Sequence, residues 1–94
     1  MKDASGKVIQ VGDILFKEYE MHLIISFTSR HIKTLSRRLY GGRFSSTIVK
    51  KSNYGLVLPA TIENREFFLD KVETTEEDKE VIMTAFQTYD NNNK

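Results

Sequence analysis

The side chains able to do chemistry in this 94-residue sequence are mostly cations. Arg30, Lys33, Arg37, Arg38, Arg43, Lys50 and Lys51 all fall between residues 21 and 62, a stretch of 42 residues without one Asp or Glu. The chain carries 13 acids, so their absence here is segregation rather than shortage. Net charge is −1 over residues 1–20, +7 over 21–62 and −5 over 63–94. Arg and Lys recognise anions. On nucleic acid they contact phosphates and release counterions, which makes affinity salt-dependent. On an acidic protein surface they speed association and select the partner. Tyr40, Phe44 and Tyr54 lie among the bases and supply rings able to stack on unpaired nucleobases. The candidate binding residues are Arg30, Lys33, Arg37, Arg38, Tyr40, Arg43, Lys50 and Lys51.

Other chemistries find little support. There is no cysteine, which removes disulfides, thiolate ligands and a thiol nucleophile. His22 and His31 stand nine apart with no acid between them to complete a metal set. Ser and Thr are plentiful, but no GxSxG frame is present. Gly41-Gly42 lacks the lysine-bearing frame of a phosphate loop. Glu76, Glu77, Asp78 and Glu80 suit helix capping and solvation better than acid–base work. The expectation is a non-catalytic protein with no cofactor and no metal. No apolar run reaches the roughly 18 residues of a membrane span. "MKDASGKVIQ" lacks the apolar core of a signal peptide, so a cytoplasmic protein is expected.

The elements that must position these residues read as mainly β. Val8, Ile9, Val11 and Ile14, Leu15, Phe16 flank a Gly12-Asp13 turn signal. "HLIISFT" is a β-rich run over 22–28. "SRHIKTLSRRLYGGRF" admits two structures. As a helix over 30–40 it aligns Ile32, Leu35 and Leu39 on one stripe, with Gly41 as the C-terminal cap. As a hairpin it turns at Gly41-Gly42, with Leu39 facing Phe44 and Leu35 facing Ile48. The β-rich flanks and the return strand "SSTIVKK" favour the hairpin. Arg37 would then interrupt the apolar side opposite Ser46. "SNYG" marks a turn, "LVLPA" a short strand, and "REFFLDKV" (65–72) a further strand. Thr74 and Glu77 form a capping-box pattern. Val81, Ile82, Ala85, Phe86 and Tyr89 recur at helical spacing behind it. The expected division is a small β domain over 1–73, a C-terminal helix over 74–90 packed on it, and a disordered tail over 91–94.

The string "GKVIQVGDILF" resembles the opening of small, strongly bent β-barrels of the KOW and Tudor kind, and phage YopX-type proteins show a similar phrase. Gly6, Val8, Ile9, Gly12, Asp13 and Ile14 carry the likeness. It implies contact with RNA or with transcription and translation machinery. "VGDILF" also resembles MazF-type ribonuclease toxins, in which an arginine and a Ser or Thr act on the RNA phosphate.

The expected fold is α+β, mainly β: a small, strongly bent antiparallel sheet or barrel with one C-terminal helix. The expected function is a binding module whose basic centre takes nucleic acid, RNA or single-stranded DNA before duplex. The alternative is a phage-encoded inhibitor or regulator that binds an acidic protein surface. A MazF-like ribonuclease is a minor third.

Overall fold

The computed structural model describes residues 8–51 and 55–94. The turn expected at Ser52-Asn53-Tyr54 and the glycine at position 6 lie outside them. Among the described residues the order is β1 (Ile14–Lys17), β2 (Glu20–Phe27), β3 (His31–Arg38), β4 (Gly41–Lys50), β5 (Val57–Leu58), α1 (Ile62–Leu69), β6 (Val72–Glu73) and α2 (Glu76–Asn92). The strands form one sheet in the order β5-β1-β2-β3-β4-β6. The fold is α+β. The sheet stays open instead of closing into a barrel, and it is mixed, because β6 runs parallel to β4.

Residues 30–40 are strand and turn, so the helical alternative fails there. The hairpin differs in register from the expected one. The turn residues are Leu39 and Tyr40, and Arg38 pairs with Gly41. Leu35 opposes Ser46, not Ile48, and Ser36 opposes Ser45. Between those pairs Arg37 alone spans residues 42–44 of β4. Gly42 lies in this bulge and Gly41 beside it, both at positive φ (101° and 100°), a conformation that only glycine adopts cheaply. The shift is even, so every side chain keeps its face.

Directly opposed residues share a face. One face, toward the helices, buries Met21, Leu23, Leu35 and Phe44 against Phe68, Ile82, Ala85 and Phe86. The other, the far face, holds a smaller cluster of Leu15, Ile24, Ile32 and Val57 beneath Ile9.

Residues 62–69 are helix, whereas "REFFLDKV" reads as strand. Thr61 starts it: its hydroxyl accepts the Asn64 N–H at 3.2 Å. The helix buries Phe68 fully and leaves Phe67 54% exposed. The last helix begins one residue later than "TTEE" suggests. Thr75 caps it, accepting from Asp78 N–H at 3.1 Å while the Asp78 carboxylate accepts from Thr75 N–H at 3.4 Å. It runs on through Asn92, and Asn93 Nδ2 donates to Tyr89 O (2.7 Å) and Gln10 Oε1 (2.9 Å). These bonds tie down a segment expected to fray. Arg65 joins the two helices. Its guanidinium pairs with Asp90 and lies 4.8 Å from the Phe86 ring centroid.

Candidate nucleic-acid interface

The ladder sorts the basic residues by face and by end. On the far face, rows of opposed side chains run across the sheet. Lys17, Glu20 and Arg38 make one row; Leu15, His22, Ser36 and Ser45 the next; Ile24, Thr34 and Thr47 the third. Apart from Leu15 and Ile24, these positions are polar or charged. His22, Thr34 and Ser36 among them are buried, whereas Arg38 and Ser45 are exposed.

A groove of about 380 Å³ opens over these rows. Arg38 and Arg43 line it, with Glu20, Ser36, Ser45, Thr47 and the Gly41-Gly42 backbone. A hydroxyl network underlies it. Ser36 Oγ donates to Ser45 O (3.2 Å), which leaves its 2.7 Å bond with Thr47 Oγ1 to be donated by the threonine. Thr34 Oγ1 spends its one proton on Thr47 O (3.3 Å), so it accepts from His22 Nδ1 at 3.0 Å. His22 is 1% exposed. Its Nε2 lies 3.5 Å from Glu20 Oε1 and makes no hydrogen bond. Burial lowers the His22 pKa below the ordinary histidine value. Glu20 pulls it back in part, and Lys17 adds to the lowering.

Two tyrosines stand in the turns at this end of the sheet. Tyr19 occupies the β1–β2 turn and Tyr40 the β3–β4 turn, 70% and 85% exposed. The turns adjoin, because Leu39 N–H donates to Tyr19 O at 3.0 Å. Two arginines, three hydroxyl residues and two free rings therefore share one end of the sheet. That set can hold a phosphate and stack flanking bases. Arg43 Nε also pairs with Glu73 at 3.0 Å, but both side chains are largely exposed. Such a pair contributes at most about 1 kcal/mol and yields readily to a ligand.

The other candidates lie elsewhere. Arg37 is 5% exposed and points inward. Its Nη1 donates to the carbonyls of Phe68 (2.9 Å), Phe67 (3.4 Å) and Asp70 at the end of α1. It is a helix cap delivered from a strand; the residue also borders the groove, but its guanidinium is engaged by these carbonyls. Lys33 lies on the helix side, lining a groove with Glu77 and Asp78. Arg30, Lys50 and Lys51 sit at the opposite end of the hairpin, about 23 Å away at ~3.3 Å per strand residue. There Lys51 N–H donates to Arg30 O (3.4 Å) and Lys51 Nζ to Ser29 O (3.3 Å). Phe44 is buried against Phe68 with ring centroids 5.1 Å apart, so it cannot stack on a base. Tyr54 lies outside the described residues.

Sequence reasoning misses Tyr19, Lys17 and the hydroxyl row. Tyr19 sits between Glu18 and Glu20, outside the acid-free window. Its one usable signal is an aromatic in a two-residue turn, where no core can reach it. Among the described residues no three His, Asp or Glu side chains gather into a metal site. No helix among them is long and apolar enough to cross a membrane. Comparison with protein families, characterised proteins and solved structures yields no match to this chain.

Proposed function

We propose that this chain is a non-catalytic module that binds single-stranded nucleic acid, RNA or DNA, at the turn end of its far sheet face. Arg38 and Arg43 take the phosphates, exposed Ser45 adds a hydroxyl donor, and Tyr19 and Tyr40 stack on bases. The observation that carries the reading is the pairing of Arg38 and Arg43 in one groove with two exposed tyrosines in the adjoining turns at the same end of the sheet. Stacking tolerates any base, so affinity should depend little on sequence. The KOW-like opening phrase agrees with RNA contact.

The test is fluorescence anisotropy with labelled mixed-sequence RNA and DNA across a salt series. Two phosphate contacts on a single strand give a log–log salt slope of about −1.4. Replacing Arg38 and Arg43 with Ala should abolish the slope and most of the affinity. Absence of binding at low salt, or binding indifferent to that pair, overturns the reading.

A further inference from the structure

We propose that the free edge of β4 pairs with the β4 of a second copy of this chain, joining two sheets into one. Among the described residues β4 has a partner on the side away from β3 only at Gly42 and Arg43, where β6 runs alongside. Residues 45–50, Ser-Ser-Thr-Ile-Val-Lys, have none there among the described residues. Folded proteins usually blunt such an edge with charge, proline or a bulge. Here the bulge lies earlier, at residues 42–44, no proline or acid is present, and Lys50 is the one charge. Ile48 is 63% exposed on the helix side.

What fits this edge is set by the groove beside it. A cavity of about 510 Å³ runs between β3–β4 and the start of α2. Ile25, Leu35, Ile48 and Val81 line it with apolar surface, and Glu77 and Asp78 supply its acids. Among the described residues Glu77 has no ion pair. Lys33 also lines the cavity, and an incoming strand with an apolar side chain and a second cation on the helix side, two residues apart, complements this groove. Strand β4 has that pattern itself, in Ile48 and Lys50.

An antiparallel pair of β4 strands with both helix sides facing the same way opposes residues of equal parity. With Ile48 opposite Ile48 of the second copy at the two-fold axis, Lys50 falls opposite Ser46. Ser46 lines the same groove as Glu77 and Asp78. Each copy thus delivers Lys50 to the other's acids, and the two exposed isoleucines cover each other. On the far side Thr47 meets Val49, without charge conflict. The closed two-fold arrangement uses up the free part of the β4 edge.

Sedimentation velocity on the full chain across a concentration series tests this, and it can fail while the nucleic-acid reading stands, since Arg38 and Tyr40 play no part. The expected species is a dimer. Ile48→Lys, at an exposed position, should give monomer with an unchanged circular dichroism spectrum. Lys50→Glu and Glu77→Lys should each weaken the dimer at least tenfold, and the double exchange should restore it. The chain has no cysteine. Ile48→Cys should therefore cross-link through the two-fold axis on mild oxidation. A wild-type monomer at every concentration, or a dimer indifferent to Ile48→Lys and the charge exchange, overturns the proposal. Association of β4 with a different protein while the chain itself stays monomeric overturns it too.

Discussion

The two faces of β3 treat adjacent arginines in opposite ways. On the helix side Arg37 is buried, and its guanidinium closes the open carbonyls at the end of α1. On the far side Arg38 stands exposed in a groove with Arg43. The chain has no Lys or Arg in the last turn of α1, so the helix takes its cation from a strand 30 residues earlier. A count of charge along the sequence cannot separate these roles. The seven bases of the acid-free window divide into a buried cap, a groove pair, a distant end cluster and Lys33 beside the acidic helix.

The largest expected effect concerns what the helix side holds together. Phe68→Ala should cost about 4 kcal/mol, as for a fully buried aromatic, while Phe67→Ala should stay within about 0.5 kcal/mol. Urea unfolding of both variants measures the contrast, and equal losses would remove α1 from the core. Next comes the arginine pair itself. Arg37→Ala should cost about 3 kcal/mol, because it strands buried carbonyls and leaves a void. Arg38→Ala should cost no more than about 0.5 kcal/mol in stability while weakening nucleic-acid binding. A binding loss in Arg37→Ala that persists in its folded fraction would contradict the division of roles.

A subtler effect lies beneath the far face. His22 is buried with its pKa lowered, so the unfolded chain takes up its proton first as pH falls. Stability from this residue is complete above the ordinary histidine value of about 6.5 and declines as pH drops below it toward the lowered folded value. His22→Gln should flatten the fall in melting temperature between neutral and mildly acidic pH. The smallest effect is at the rim. Glu73→Gln releases Arg43 from its exposed ion pair and should tighten nucleic-acid binding up to about fivefold, given a pair worth at most ~1 kcal/mol.

Much of this architecture was legible in the sequence. The apolar stripe through Ile82, Ala85 and Phe86 and the acids before it announce α2, displaced at its start by one residue because Thr74 and Thr75 are both competent caps. The β-branched flanks announce the β3–β4 hairpin. Its register was not legible. Gly41-Gly42 has turn chemistry, but the bulge needs those glycines, and the turn falls to Leu39 and Tyr40. Gly41 also lies against the Lys71 carbonyl, too close for a side chain. That approach of β6 to β4 appears only once the chain is folded. Helix α1 was hidden for a similar reason. Its local pattern is β-rich, and the residue that closes it, Arg37, is remote in sequence. In the candidate site the arginines could be named but not sorted, because facing depends on the ladder. Tyr19 was masked by its acidic neighbours.

The most direct test is a four-way comparison of single-stranded RNA binding at low salt. The proteins are wild type, Arg38→Ala with Arg43→Ala, Lys50→Ala with Lys51→Ala, and Tyr19→Ala with Tyr40→Ala. Binding should be lost with the arginine pair, fall at least tenfold with the tyrosine pair (stacking contributes about 1–3 kcal/mol per base), and change little with the lysine pair. Equal losses from the arginine and lysine pairs, or no loss from either, would contradict a site at the turn end of the far face.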